Sequence, residues 1–186
     1  MKKLLFQSDD YGLTDAVADG ILKGIHQGII RNTGLFVNMP SSARAAEKIR
    51  DCAEVCVGID INLVAGKPIS DPAEVPSLVN SDGHFVPSVQ RMREGKVIGR
   101  QGMCLCFEQD PYNYEEVLLE TENQVKRFIE LMGRKPEYFH GHSMATPNTQ
   151  KAARVIAEKY NILMTLDVMN SNAVSMIPCT WTPKPF

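Results

Sequence analysis

Two adjacent acids, Asp9 and Asp10, close the apolar segment Leu4-Leu5-Phe6-Gln7-Ser8 and are followed by Tyr11-Gly12. A strand ending in paired carboxylates sets oxygen ligands at the rim of an α/β sheet, where such folds keep their chemistry. Neighbouring carboxylates can divide two tasks, one binding a cation and the other taking a proton. The bland account is a solvated turn or helix entry, where aspartate is common. A second pair is His140 and His142, separated by Gly141. Alternate residues of a strand share a face, so both imidazoles are expected on one side. An isolated His-x-His at a strand end is commonly metal-free, and the company of Asp9-Asp10 moves the balance towards a divalent site. Imidazole nitrogen suits zinc, whereas aspartate-rich sites lean towards magnesium or manganese.

Asp60 is the third candidate. Val57, Ile59, Ile61 and Leu63 alternate with Gly58, Asp60 and Asn62, which puts Asp60 and Asn62 on one strand face. A carboxylate within an apolar strand needs a partner, so Asp60 is either a cation ligand or half of an ion pair or hydrogen-bond network. His26, on an amphipathic helix, and His84, in a proline-rich stretch, read as surface residues. Ser8 and Ser143 lack the Gly-x-Ser-x-Gly context of a nucleophile elbow, which argues against a serine hydrolase.

The elements that must position these residues alternate. Behind Thr14, a plausible N-cap, Val17, Ile21, Ile25 and Ile29 recur every four residues and predict a helix. Thr33 to Asn38 is a strand candidate, Ser41-Ser42 caps a helix through about Ala53, and Val55 to Leu63 is the next strand. Such alternation argues for a parallel sheet or barrel with helices outside. From Val64 to Asn113, prolines and glycines break every regular reading. This stretch is expected to be a long active-site excursion, with Met103 to Phe107 as a strand or a buried turn. Regularity returns in the apolar stripe of Tyr114 to Met132, ended by Gly133. Tyr138 to His142 then reads as a strand, Asn148 or Thr149 starts a helix through Tyr160, and Ile162 to Leu166 is a further strand. The tail from Asn170 to Phe186 shows no periodicity.

A chain of 186 residues, 44% of them hydrophobic, fits one domain with a sizeable core. The net charge of −2 and the isoelectric point near 6.1, with both signs interspersed, leave no electrostatic footprint for nucleic acid or an anionic membrane. The opening apolar run is too short for a signal segment or a membrane span, which points to the cytoplasm. Cys52, Cys56, Cys104, Cys106 and Cys179 contain no Cys-x-x-Cys pair and fit free thiols in a reducing compartment.

With those residues in place, the chain resembles the YdjC-like (ChbG-type) carbohydrate deacetylase family. The resemblance runs from residue 1 to about residue 166. It rests on Ser8-Asp9-Asp10-Tyr11-Gly12-Leu13, on Val57-Gly58-Ile59-Asp60-Ile61-Asn62-Leu63 with Gly66-Lys67-Pro68, and on Val75-Pro76-Ser77-Leu78 with Asp82-Gly83-His84-Phe85. Glu120 and Gln124, and Lys135-Pro136 leading to His142, complete the ordered set. It implies an irregular or incomplete (β/α) barrel resembling a TIM barrel, a divalent metal (Mg, Mn or Zn), and hydrolytic removal of acetyl groups from N-acetylated sugars such as chitooligosaccharides. A homodimer is an open possibility. By the same resemblance Asp9 is the catalytic base and Asp10 and His142 are metal ligands. Asp60 is expected to complete the ligand set, and His140 is the nearest candidate for the acid that protonates the departing amine.

Three departures stand out. The family usually has His where this chain has Asp60, Asp where it has His140, and a further His where it has Met144. Members also continue through further barrel elements, so Phe186 is expected to end an incomplete barrel or a shortened chain. The competing expectation is a sugar-binding or regulatory homologue that has lost efficient metal chemistry; a third is a metal-dependent hydrolase of another amide or ester.

Overall fold

The computed structural model describes residues 4–171. Along the chain run β1 (Phe6–Tyr11), α1 (Asp15–His26), β2 (Ile30–Leu35), α2 (Ser42–Ile49) and β3 (Cys56–Ile61). Then come α3 (Ser88–Glu94), β4 (Val97–Gln101), β5 (Cys104–Phe107), α4 (Tyr114–Met132), β6 (Tyr138–Gly141), α5 (Pro147–Tyr160), β7 (Leu163–Met164) and α6 (Thr165–Asn170).

Local chemistry sets the helix ends. Thr14 accepts a hydrogen bond from the Val17 amide at the start of α1. The Asn113 side chain accepts from the Glu115 and Glu116 amides to open α4, and Gly133, with φ of 69°, ends it in the left-handed conformation that glycine adopts without strain. Thr146 and Thr149 form a reciprocal capping box around Pro147, which starts α5 a residue or two earlier than the apolar pattern suggests.

Five strands form one parallel sheet in the order β1-β2-β3-β6-β7. Spatial order follows chain order without reversal. With right-handed crossovers this places the connecting helices on one face of the sheet, as in an arc of a (β/α) barrel. On the helix side Leu35, Val57, Ile59 and Phe139 are buried against a core that includes Val117, Val125 and Phe128 of α4 and Ile156 of α5. Each such side chain contributes about 1.5–3 kcal/mol through removal from water. The register pairs Gln7 with Asn32, Gly34 with Gly58, and Asp60 with His140. These residues therefore share the opposite face, the one that becomes the interior of a barrel.

Several boundaries differ from the sequence expectation. Helix α1 stops at His26, leaving Ile29 61% exposed beyond the stripe it was expected to extend. Strand β2 begins at Ile30, and Phe36 and Val37 are buried after the ladder has ended. Helix α2 ends at Ile49, short of Ala53. The expected strand from Ile162 to Leu166 is only two residues long, because α6 takes over at Thr165. Most of the expected irregular tail lies outside the described residues, as does Cys179; Cys52, Cys56, Cys104 and Cys106 are free thiols. No helix among the described residues is long and apolar enough to cross a membrane.

Within residues 64–113 lie α3, an isolated bridge between Val79 and Phe85, and the antiparallel pair β4 and β5. The Leu105 amide donates to the Ala145 carbonyl at 2.8 Å, Ser143 Oγ donates to Ser88 Oγ at 3.1 Å, and Asp110 accepts from the Asn148 amide at 3.0 Å. These contacts bring the excursion against the β6–α5 connection, beside the C-terminal ends of the strands.

Candidate active site

A bulge in β1 explains how two consecutive carboxylates serve one site. The pairing advances from Ser8 with Thr33 to Tyr11 with Leu35, so three steps on β1 oppose two on β2. Asp10 absorbs the extra residue at φ of 69°, a left-handed conformation uncommon for a side chain larger than glycine. Tyr11 then anchors the strand end, buried, with its hydroxyl donating to the Ala45 carbonyl of α2 at 2.9 Å. Asp9 and Asp10 consequently face different histidines. Asp9 Oδ2 lies 3.9 Å from His140 Nε2, and Asp10 Oδ1 lies 3.0 Å from His142 Nδ1.

Asp60 is fully buried, and its neighbours are shaped around it. A Cβ on Gly34, the adjacent position of β2, would overlap the Asp60 carboxylate. Asp60 Oδ2 accepts the Asp10 backbone amide at 3.0 Å, while Oδ1 is buried with no hydrogen-bond partner among the described residues. Desolvation pushes the Asp60 carboxyl up to about 7; the Asp10 amide opposes the rise, and the nearby Asp9 and Asp10 charges add to it. A buried oxygen of this kind calls for a proton or a cation.

One donor atom from each of Asp9, Asp60 and His140 comes within 4.8 Å of the other two. His140 stands directly opposite Asp60 in the β3–β6 register. His142 lies just beyond the end of β6, although its amide continues the ladder by donating to the Ile61 carbonyl at 2.9 Å. Its ring packs edge-on against Phe36, with centroids 4.8 Å apart. All five residues expected from sequence thus gather at the C-terminal rim of the sheet, as a group of Asp9, Asp60 and His140 beside the close pair of Asp10 and His142. Met144 is buried and supplies no nitrogen ligand at its position.

Residues 3–181 match the family model described as YdjC-like protein. The chain belongs to the YdjC-like family. It is 31% identical over 163 residues to Carbohydrate deacetylase 2 of Listeria innocua, covering 86% of this chain and 58% of that protein. It is 30% identical over 164 residues to a carbohydrate deacetylase of Thermoanaerobacter pseudethanolicus, covering 87% and 59% of the two chains. Among solved structures it is similar to a putative cellobiose-phosphate cleavage protein from Enterococcus faecalis, with a TM-score of 0.73 and 27% identity, over 88% of this chain and 58% of that one. This YdjC-like chain thus spans less than two thirds of the length of the relatives it matches.

Sequence reasoning passed over the residues that support the carboxylates. Gln7 Nε2 donates to Asp9 Oδ1 at 2.6 Å, and Asn32 Nδ2 donates to Gln7 Oε1 at 2.8 Å, a relay that fixes the Asp9 side chain. Gln7 and Asp9 are two apart on one strand, which is the signal that would have joined them. Tyr138 shares the face of His140; its ring occupies the space above Gly58, its hydroxyl is buried without a hydrogen-bond partner, and burial raises its pKa. His26 and His84 are exposed, as expected.

Proposed function

We propose that this chain carries the catalytic centre of a metal-dependent hydrolase that removes acetyl groups from N-acetylated sugars or oligosaccharides. The observation that carries this reading is the convergence of Asp9, Asp60 and His140 at the rim of a parallel sheet, beside the Asp10–His142 pair. The names of the bacterial relatives support the sugar substrate.

The residues fit a divalent cation, because Asp60 Oδ1 is a buried oxygen with no hydrogen-bond partner and lies in a group of three donors. Asp9, Asp60 and His140 would hold the ion. Two carboxylates and one imidazole form a harder set than one with two histidines, so magnesium and manganese compete better against zinc here. When bound, the ion supplies Lewis acidity towards the acetamide carbonyl and lowers the pKa of water. The remaining work falls to Asp10 and His142. Asp10 lies against Nδ1 as a close charge contact without a hydrogen bond, and Nε2 is the ring nitrogen left to exchange a proton with the nucleophile or the departing amine.

The same short contact favours a second division of roles, built on the family motif's assignment of Asp9 as base and of Asp10 and His142 as ligands. Asp10, Asp60 and His142 are then the ligands, with Asp9 as base and His140 as acid. Asp60 is common to both, and cation titration separates them. In the first arrangement Asp9→Asn and His140→Gln weaken manganese binding; in the second Asp10→Asn and His142→Gln do.

Acetate release from N-acetylated chitooligosaccharides with added magnesium, manganese or zinc tests the activity. Loss of the proton-transfer residue, His142 in the first arrangement or Asp9 in the second, should lower turnover by about 10² to 10⁴. Saturable sugar binding without acetate release at every metal would overturn the hydrolase in favour of a sugar-binding homologue. Phosphorylated cellobiose is the second substrate to test, given the description of the structural neighbour.

A further inference from the structure

Glu120 and Gln124 belong to the motif set of the sequence yet touch none of the five site residues. Both are fully buried on α4. Among the described residues Glu120 has no cationic partner. Its carboxylate instead accepts four hydrogen bonds: from the Ile69 amide at 3.0 Å, the Ser70 amide at 2.9 Å, the Ser70 hydroxyl at 2.6 Å and Gln124 Nε2 at 2.7 Å. Four donors fill the acceptor sites of a buried carboxylate.

Gln124 passes this anchoring on to β3. Its Nε2 also donates to the Asn62 carbonyl at 2.7 Å, and its Oε1 accepts the Asn62 amide at 3.1 Å. Asn62 in turn closes the turn that follows: Oδ1 accepts the Val64 and Ala65 amides, and Nδ2 donates to the Ala65 carbonyl and to Asn38 Oδ1. Asn62 is two residues beyond Asp60 on the same strand face. The position of the Asp60 carboxylate therefore depends on a strand end held by side chains of α4 and not by a neighbouring strand alone.

We propose that Glu120 is a positioning residue for the candidate centre. Acting through Gln124 and Asn62, it fixes the end of β3 that carries Asp60, and through Ser70 it ties the start of the excursion to the same anchor. The inference rests on the cation reading given above for its functional consequence, but its structural half can be measured separately.

The test combines manganese titration with amide hydrogen exchange on the wild-type chain and on Glu120→Gln, Gln124→Leu and Ser70→Ala. Glu120→Gln turns an acceptor into a donor facing the Ile69 and Ser70 amides, and Gln124→Leu cuts the branch to Asn62 together with the Gln124 bond to Glu120, leaving the Ile69 and Ser70 bonds to Glu120 in place. Both should bind manganese about tenfold more weakly, within the range for groups that support metal ligands, and both should show faster exchange at the Asn62 amide. Ser70→Ala should speed exchange near Ser70 and keep the wild-type affinity, an asymmetry that a purely structural role does not produce. Wild-type affinity in both folded α4 variants would overturn the proposal. Should Glu120→Gln fail to fold, Gln124→Leu and Ser70→Ala decide by the same criteria. If the wild-type chain binds no manganese, the cation reading falls, and exchange at Asn62 decides this proposal: acceleration in the α4 variants supports it and unchanged exchange overturns it.

Discussion

Two kinds of buried charge occur in this molecule, and they sit in regions built differently. The parallel sheet is held by apolar packing and backbone ladders, yet it carries Asp60 with one carboxylate oxygen unmet. The excursion has little regular structure, and the buried charges that hold it bond chiefly to backbone groups, with Arg91 Nε the one nitrogen of that side chain left without a partner among the described residues. Glu120 meets the amides of Ile69 and Ser70. Arg91 donates to the Pro111 carbonyl at 2.6 Å and the Ser77 carbonyl at 2.8 Å, and its guanidinium lies 4.3 Å from the Tyr112 ring centroid. A loop without ladders must satisfy its backbone through side chains. The unmet atoms of the sheet, Asp60 Oδ1, Asp10 Oδ1 and the Tyr138 hydroxyl, lie on β3, β1 and β6, and a buried carboxylate oxygen left unmet there is a place for something to bind.

The largest expected effect is on Asp60. Its folded-state pKa of about 7 lies above the ordinary aspartate value, so the protonated form is favoured in the folded protein. Its stabilising contribution is fully present below about pH 4 and is lost as pH rises through about 7. The limit set by that separation is on the order of 4 kcal/mol. Urea denaturation of the metal-free protein between pH 4.5 and 7.5 should show stability falling with pH. Asp60→Asn should flatten the profile, and manganese should restore stability at the upper end. A profile that is the same with Asn at position 60 would mean that the sheet tolerates this charge as easily as the excursion tolerates its own.

Arg91 supplies the counterpart at intermediate size. Arg91→Leu keeps apolar bulk beside Tyr112 but leaves the Ser77 and Pro111 carbonyls without their donor, at a cost of about 1–3 kcal/mol. Limited proteolysis should then cut within residues 64–113 while the sheet stays protected and manganese affinity is unchanged. Equal loss of protection in both regions would show that excursion and sheet unfold as one unit.

The order of strands and helices was legible because its signals are local: the four-residue stripe of α1, the alternation around Asp60, and the Asn113 and Gly133 boundaries of α4. The five candidate residues that gather at the strand ends were legible by type and spacing. What could not be read was which carboxylate faces which histidine. That depends on the bulge at Asp10, a backbone feature with no glycine to announce it. Of the hairpin, β5 was foreshadowed as the strand or buried turn of Met103 to Phe107, whereas β4 was hidden, since Val97–Gln101 is exposed throughout and carries no two-sided burial pattern. The role of Gly34 appears only once β2 and β3 are paired, because the Asp60 side chain that fills the space beside it is distant in sequence.

The smallest effect lies where the two regions meet. Asn113 ends the excursion and caps α4, its side chain accepting from the Glu115 amide at 3.0 Å and the Glu116 amide at 3.3 Å. The Asn113 amide also reaches Ser77 Oγ at 3.4 Å, and that backbone contact survives a side-chain change. Asn113→Ala should therefore cost about 1 kcal/mol, the usual worth of such a cap. In a chain of this size that corresponds to a fall of about 2–4 °C in Tm. Because Glu120 lies more than a turn further along α4, the loss should stay at the helix start, with exchange at Ser70 and Asn62 unchanged. Faster exchange at those two amides would mean that the cap, and not Glu120, sets the position of α4 against the site, and would merge the two regions that the buried charges separate.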